Sequence, residues 1–310
     1  MYVAPGFIDL HVWGDPETLS REAVRHGTTA FLSAIRPESP AKLRERLAAV
    51  AAARCLSGAR CLGAHLEGPF LNPKRGGALS KRWMRPPARA ELKAVKRVGG
   101  ARLITIAPEL PRALEAIRWC RANRVVASLG HSDADAATAL RAAAAGASAV
   151  THVFNGMRPF HHRAPSLLDI ALTDPRLTTM VIADGVHVSP SALRLLIRMK
   201  GAARVALATD SIRFAGWDVV ERGGAYYRRD GTLAGSRLTM VDAVRHAVQL
   251  GGASLEEAVR MASGTPARLL GLEREAGALA VGRRADLVAF DRNIRVRLTL
   301  VGGRVVFSSN

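Results

Sequence analysis

Cysteine and long apolar runs are both scarce in this sequence. The three cysteines, Cys55, Cys61 and Cys120, cannot all pair with one another, and none has CxxC spacing. This excludes a disulfide-stapled scaffold and a cysteine-rich zinc module, and it fits a reducing compartment. No stretch approaches the roughly 18 uninterrupted apolar residues of a membrane span, and the first residues lack the basic and apolar segments of a secretory signal. We therefore expect a cytoplasmic protein with no membrane association.

Acidic residues are in the minority, and lysine is rare. The chain has 26 Asp and Glu against 45 Lys and Arg, which gives a formal charge of +19, yet only six of the cations are Lys. The arginines are scattered along the whole sequence and form no single basic segment. Because nucleic-acid binding needs a concentrated basic face, we predict no nucleic-acid partner. A diffuse positive charge favours anionic substrates instead.

The sequence does contain a repeating βα pattern. A hydrophobic content of 48% over 310 residues is enough for one large core with an appendage. Short apolar runs each precede an Ala-, Arg- and Leu-rich segment with helical spacing. Eight such runs begin at Val3, Thr28, Cys61, Arg102, Val125, Ser148, Thr178 and Arg204. No GxGxxG follows the first run, which argues against a doubly wound sheet, so we predict an α/β fold of the (β/α)8 TIM barrel type.

The last part of the chain has a different pattern. After the eighth run come two helix-like segments, residues 238–250 and 255–270, and then short alternating stretches between glycines. Alternation of apolar and polar residues is typical of antiparallel strands with one buried face. We predict a barrel domain over residues 1–276 and a small β-strand appendage over residues 277–310.

Ionisable residues gather where the predicted strands end, and in a TIM barrel these ends meet at the face that holds the active site. Each residue alone could be a structural histidine or a helix cap, but six strands end in this way, with Asp9 and His11, Glu67, His131, His152, Asp184 and His187, and Asp210. Glu67, His131 and His152 offer one carboxylate and two imidazoles, which suit Zn²⁺ or Fe²⁺. With Asp210 to accept a proton, the set predicts metal-assisted hydrolysis of an amide or ester.

A series of motifs follows along the chain, in the order PGFIDLHVWG, HLEGPFLNP, GHSDA, THVFNGM, IADGVHV, LATDS and GALAVGRRADLVAFD. In this order they resemble the N-acetylglucosamine-6-phosphate deacetylases, a branch of the amidohydrolase superfamily, over nearly the whole chain. The resemblance implies hydrolysis of the acetamide of N-acetylglucosamine 6-phosphate to glucosamine 6-phosphate and acetate. It also implies a homodimer with one divalent metal ion per subunit, Zn²⁺ or alternatively Fe²⁺.

The resemblance also implies roles for particular residues. Glu67, His131 and His152 match the family's metal ligands, and Asp210 matches its catalytic acid and base. The residues that match the sugar-phosphate site are Asn155, Gly156 and His187, together with Arg163, which lies where the family supplies an arginine to the phosphate in the neighbouring subunit.

The sequence departs from the family at three places. His11-Val12-Trp13 stands where many amidohydrolases have HxH for a second metal, and since Trp cannot bind a metal, we expect one metal with His11 beside it but outside the ligand set. Leu79, twelve residues after Glu67, replaces a histidine that polarises the substrate carbonyl. Loss of such a donor commonly slows catalysis about 10²- to 10³-fold. The family's strands ahead of PGFID are absent from this sequence, so we expect the C-terminal strands to lack their partner strands and to form a truncated β-sandwich. This implies a half-sheet packed on the barrel, an intermolecular contact, or a start that is recorded too late.

Two alternatives stay open at this point. A related deacetylase of another N-acyl amino sugar, such as N-acetylgalactosamine 6-phosphate, needs the same metal site and Asp210. A catalytically silent scaffold that binds sugar phosphate is compatible with Leu79 and with the missing strands. The retained metal ligands favour an active enzyme over the silent scaffold.

Overall fold

The structure, a computed structural model, describes residues 1–309 and is built around one mostly parallel sheet of twelve strands. Within those residues the strands are β1 (Tyr2–Pro5), β2 (Phe7–Gly14), β3 (Thr28–Ile35), β4 (Arg60–Leu66), β5 (Ala101–Ile106), β6 (Val126–Leu129), β7 (Ala149–Val150), β8 (Thr178–Val181), β9 (Val205–Leu207), β10 (Ser211–Phe214), β11 (Val220–Arg222), β12 (Ala225–Tyr227), β13 (Leu233–Ser236), β14 (Leu287–Phe290), β15 (Val296–Val301) and β16 (Arg304–Ser308).

The strands β2 to β9 lie side by side in sequence order, and every adjacent pair is parallel. Each of the eight predicted apolar runs contains one of them. β10 pairs with β2 on the side opposite β3, and the backbone N–H of Asp210 donates to the carbonyl of His11 over 2.9 Å. The chain after the last parallel strand thus returns to the first, so the sheet curls as in a TIM-like barrel.

Helices follow most of the parallel strands. In the described part of the chain they are α1 (Pro16–Ala23), α2 (Pro40–Ala52), α3 (Arg89–Val98), α4 (Ala113–Ala122), α5 (Ala136–Ala145), α6 (Leu167–Thr173), α7 (Pro190–Lys200), α8 (Met240–Gln249), α9 (Leu255–Ala262) and α10 (Gly264–Leu269). Ser39, Asp135 and Ser189 cap α2, α5 and α7 by accepting a backbone N–H three residues further on. No helix among residues 1–309 combines the length and apolar content needed to cross a bilayer.

The helices after the barrel differ partly from the prediction. The predicted helix over 238–250 is present as α8, but the single helix predicted over 255–270 is wrong, because the chain divides at Ser263 into α9 and α10. Ser263 has a φ of −134°, which is not helical. Pro266 in the first turn of α10 has no N–H with which to continue the hydrogen-bond ladder of α9.

A separate sheet of four strands, in the order β1-β14-β15-β16, contains the C-terminal strands. The prediction of one strand from Val3 through the end of the first run is wrong, because the chain breaks at Gly6 and Tyr2–Pro5 pairs with β14. A Cβ at Gly6 would lie 2.3 Å from the side chain of Thr29, so a glycine is needed where the chain passes β3. The C-terminal strands therefore do have a partner, which corrects that expectation. The domain boundary at residue 277 stays a prediction, with Tyr2–Pro5 in the appended sheet.

Buried contacts join this small sheet to the large one. The Asp286 carboxylate, 4% exposed, accepts a hydrogen bond of 2.8 Å from Arg60 at the start of β4. Phe290 on β14 is fully buried, with its ring centroid 6.4 Å from that of Phe7 and 6.0 Å from that of Tyr2. Aromatic pairs at this separation add to the burial of apolar surface. The small sheet is thus packed on the barrel-like sheet through an aromatic cluster.

Replacing Phe290 by Ala should lower the free energy of unfolding by about 3–5 kcal/mol, the usual cost of truncating a fully buried aromatic residue. Urea denaturation followed by circular dichroism measures it. Val305→Ala, on the same sheet but 60% exposed, should change the free energy by less than about 0.5 kcal/mol. Equal effects of the two substitutions would show that the small sheet does not depend on the Phe290 contact.

Candidate active site

Three buried side chains meet at the carboxyl ends of the parallel strands. Glu67 directly follows β4, while His131 and His152 each lie two residues after β6 and β7. All three are 3–6% exposed. His131 and His152 have φ values of +46° and +27°, in the left-handed region that non-glycine residues rarely adopt. The backbone turns sharply after each strand, which directs both imidazoles toward Glu67.

The ligand atoms of these three residues all lie within 4.8 Å of one another. The Nε2 atoms of His131 and His152 are 2.9 and 2.7 Å from Oε1 of Glu67. Nδ1 of His131 donates to the carbonyl of Arg75 over 2.7 Å, and such a bond is the usual way a metal-binding histidine is oriented. A Cβ at Gly156, where φ is +63°, would lie 2.9 Å from Nδ1 of His131, so only glycine fits beside the ring.

The electrostatics of this cluster favour a cation. Burial raises the pKa of Glu67, but His11 and the hydrogen bonds from His131 and His152 outweigh this and hold the pKa well below its ordinary value. Burial lowers the pKa of His152, but the Glu67 carboxylate outweighs it and raises the pKa to about 8. One carboxylate oxygen and two imidazole nitrogens also form a donor set that suits a divalent transition metal. Glu67, His131 and His152 therefore fit a metal ion in both charge and chemistry.

Asp210 lies at the same face, just after β9, with its side chain 14% exposed. Its φ of +49° is again left-handed. Trp13 Nε1 donates to Oδ1 of Asp210 over 2.7 Å. His11 Nε2 is 3.1 Å from the same oxygen and 3.7 Å from Oε2 of Glu67, at ion-pair distance but without hydrogen-bond geometry. Asp210 thus lies beside the triad but is not one of its three residues. A separate acid and base needs a position of this kind.

His11 is buried behind the triad, and it contacts a histidine that the sequence analysis did not select. The Nδ1 atoms of His11 and His65 are 2.5 Å apart, and Nε2 of His65 bonds to Thr105 Oγ1 over 2.7 Å. Burial and the neighbouring His11 lower the pKa of His65 well below its usual value. His65 precedes Glu67 by two residues on β4, and that spacing, which puts both side chains on one face of a strand, is the signal that could have revealed it.

A cavity of about 280 Å³ opens in front of the triad and Asp210. One part of its wall is polar and includes Asn155, Gly156 and His187. Nδ1 of His187 and the Asp184 carboxylate are 2.6 Å apart, and Asp184 also accepts the backbone N–H of His187 over 2.7 Å. Burial raises the pKa of the Asp184 carboxyl, but the hydrogen bond and charge of His187 have a larger opposite effect and lower this pKa. The hydrogen bond between the two side chains fixes the orientation of the imidazole.

Another part of the cavity wall is apolar and is formed by Trp13, Leu79 and Trp217. Leu79 is 8% exposed and has no polar group to offer a substrate. Its loop is fixed by Arg228, whose guanidinium donates to the carbonyl of Ala78 over 2.9 Å. The position where the family resemblance implies a histidine therefore supplies only apolar contact here.

Arg163 and Asp9 lie outside this constellation. Arg163 is exposed, contacts the ring of His162 over 2.9 Å, and does not line the cavity of its own chain. Asp9 is buried below the site, where its carboxylate accepts a hydrogen bond of 2.6 Å from the Thr209 hydroxyl, and burial raises its pKa to about 6. Of the residues that the sequence analysis singled out, the structure thus brings together all but Arg163 and Asp9.

Comparison with known proteins agrees with this geometry. A family model described as "Amidohydrolase family" matches residues 2–306. N-acetylglucosamine-6-phosphate deacetylase of Bacillus subtilis is 36% identical over 98% of this chain and 84% of its own, and N-acetylgalactosamine-6-phosphate deacetylase of Escherichia coli O157:H7 is 34% identical over 98% and 87%. A solved structure of N-acetyl-D-glucosamine-6-phosphate deacetylase from Mycobacterium smegmatis, in complex with N-acetyl-D-glucosamine 6-phosphate, has a TM-score of 0.90 at 34% identity and covers 99% of this chain and 87% of that one.

Proposed function

Because this chain belongs to the amidohydrolase family, in the branch of the N-acetylglucosamine-6-phosphate deacetylases, we propose that it hydrolyses the acetamide of N-acetylglucosamine 6-phosphate. The amide C–N bond breaks, the oxygen of water joins the acyl carbon, and the nitrogen leaves as the amine of glucosamine 6-phosphate. The observation that carries the proposal is the placement of Asp210 beside the cluster of Glu67, His131 and His152, at one cavity.

We propose that Glu67, His131 and His152 hold one divalent ion, Zn²⁺ with Fe²⁺ as the alternative. Such an ion supplies Lewis acidity, which polarises a carbonyl and lowers the pKa of water. The Arg75 carbonyl accepts a hydrogen bond from Nδ1 of His131 and so orients this imidazole for binding the ion. His11 stays outside the ligand set, with its Nε2 3.7 Å from Oε2 of Glu67.

The Asp210 carboxylate serves as the general base and then as the general acid. It accepts a proton from the attacking water and returns that proton to the departing nitrogen. Its backbone N–H bond to His11 and its side-chain bond to Trp13 hold it at the cavity wall. A carboxylate held in this way keeps its position between the two proton transfers.

The polar end of the cavity receives the sugar phosphate. Asp184 holds His187 through Nδ1, which leaves Nε2 as the ring nitrogen that can contact the substrate. Asn155 and the backbone at Gly156 add polar groups at the same end. Arg163 does not line this cavity, and we propose that it binds the phosphate in the second subunit of a homodimer.

Arg163→Ala should lower kcat/KM for the phosphorylated substrate about 10- to 100-fold, because one charge-assisted contact is lost. The same substitution should leave kcat/KM for unphosphorylated N-acetylglucosamine almost unchanged. Steady-state kinetics on both sugars provide the comparison, with Arg118→Ala, at an exposed position on α4, as a control for loss of charge. Equal losses on the two sugars would remove Arg163 from the phosphate site.

N-acetylgalactosamine 6-phosphate is the second candidate substrate, favoured by the 34% identity to the Escherichia coli deacetylase of that sugar. The two sugars differ at one ring hydroxyl and share the groups that the triad and Asp210 act on. A silent scaffold, the other alternative, is disfavoured by the complete set of Glu67, His131, His152 and Asp210 around one cavity.

The test is release of free amine from N-acetylglucosamine 6-phosphate by the purified protein supplied with Zn²⁺. A chelator-treated sample and the galactosamine substrate are measured in parallel. We expect turnover that the chelator abolishes and that added metal restores. Absence of turnover on both sugars in a folded, metal-loaded sample would overturn the proposal and support a silent scaffold.

We further propose that the curled sheet is a (β/α)8 TIM barrel and that the four-stranded sheet is a small β-strand appendage packed on it. The wide spread of the +19 charge supports an anionic small-molecule substrate and no nucleic-acid partner. The location that we propose is the cytoplasm, on the basis of the three unpaired cysteines.

A further inference from the structure

We propose that Trp13 is a positioning residue that fixes the Asp210 carboxylate with one oxygen bound and the other left for proton transfer. The inference rests on the proposed function, since it deepens the role given there to Asp210. Trp13 ends the segment His11-Val12-Trp13, at the position where many amidohydrolases have a second metal-binding histidine. Because tryptophan cannot bind a metal, the sequence alone gives this residue no role.

The first observation is how β2 holds the segment that carries Asp210. Alternate residues of a strand point to the same face, and Asp9, His11 and Trp13 are three such residues on β2. Asp9 binds Thr209, the carbonyl of His11 accepts the backbone N–H of Asp210, and Trp13 binds the Asp210 side chain. Trp13 therefore completes a series of contacts along one strand.

The second observation is the hydrogen bond itself. At 2.7 Å between Trp13 Nε1 and Asp210 Oδ1 it is short, as expected for a bond to a charged acceptor. The other close polar group, Nε2 of His11, lies 3.1 Å from the same oxygen Oδ1, so both contacts are on one side of the carboxylate. An indole N–H can donate but not accept. Oδ1 must therefore remain the acceptor, and the proton moved in catalysis belongs on Oδ2.

The third observation is that Trp13 cannot easily move. It is 4% exposed and packs in an apolar cluster with Leu79, Met84 and Ile212. Its ring lies 4.9 Å from the ring of Trp217 and meets the ring of His11 edge-on at 5.4 Å. A donor fixed by packing holds its partner in place without further ordering during the reaction.

Trp13→Phe tests the inference, because it keeps an aromatic ring and removes the N–H. We expect kcat to fall about 10- to 100-fold, the scale of a displaced catalytic group, with KM and metal content unchanged. Trp119→Phe on α4, remote from the cavity, is the matched control and should keep the kcat of the wild type. A kcat for Trp13→Phe within about 3-fold of the control would overturn the role.

A spectroscopic measurement tests the bond independently of turnover. The chain has four Trp residues, so a ¹H–¹⁵N spectrum contains four indole signals, of which the one lost in Trp13→Phe belongs to Trp13. In the Asp210→Ala protein this signal should move upfield, because the indole loses its charged acceptor, while the Trp119 signal stays. Where Trp13→Phe fails to fold, Trp→Phe variants at the other three tryptophans assign the Trp13 signal by elimination, and an unmoved Trp13 signal would then refute the bond. Absence of wild-type turnover would refute the proposed function instead, with the indole shift still deciding whether Trp13 holds Asp210.

Discussion

Asp210→Asn should reduce kcat by about 10²- to 10⁴-fold, which is the contribution of a positioned general acid and base. An amide has almost the shape of the carboxylate but cannot take the proton from water. Because Asp210 lies outside the cluster of Glu67, His131 and His152, the metal content should stay near one ion per chain. Amine-release kinetics and elemental analysis of the same sample measure the two quantities together.

The control for this substitution is Asp291→Asn, which removes the same charge from a half-buried position just after β14, paired with Arg297. It should leave both kcat and metal content unchanged. Two results would contradict the assignment. Substantial activity in Asp210→Asn would mean that another group moves the proton, and loss of metal would make Asp210 a ligand.

Glu67→Gln should abolish metal binding and, with it, activity. Glu67 contributes the one carboxylate of the triad, and it is the group that raises the pKa of His152 to about 8. Without that charge, only two neutral imidazoles and an amide remain, a much weaker donor set for a divalent ion. We expect less than about 0.1 metal ion per chain after dialysis and a rate at least about 10³-fold lower, as for loss of metal catalysis.

Glu91→Gln is the matched control, since Glu91 pairs with Arg85 away from the catalytic cavity. Its metal content should equal that of the wild type. Full metal loading of Glu67→Gln would disprove the ligand assignment. A protein that keeps its metal but loses turnover would instead indicate that Glu67 acts directly on the substrate.

Much of the architecture could be predicted because it depends on local pattern. Buried parallel strands form continuous apolar runs, so all eight of the strands β2 to β9 were recognisable. The ends of such strands lie together, and this places Glu67, His131 and His152 at one face without knowledge of distances. Helix caps such as Ser39 and Asp135 are also local signals.

The features that escaped prediction depend on contacts between distant segments. The break at Gly6 coincides with the local turn signal Pro5-Gly6, but the close approach to Thr29 and the pairing of Tyr2–Pro5 with β14 join segments that are distant in sequence. His65 bonds to Thr105, 40 residues away in sequence, and Trp13 bonds to Asp210, 197 residues away. In the sequence, Trp13 is recognisable only as a residue that cannot bind a metal. In the structure, its indole donates a hydrogen bond to the Asp210 carboxylate.

The left-handed backbone of His131, His152 and Asp210 has a consequence for engineering. Each non-glycine residue in this region costs on the order of 1–3 kcal/mol, a cost borne by the rest of the fold. A selection for heat resistance alone should therefore enrich glycine at these three positions. The selected variants would be more stable but inactive, because they lack the side chains proposed for metal binding and proton transfer. Thermostable forms of this protein that still work must gain their stability elsewhere, for instance in the small sheet.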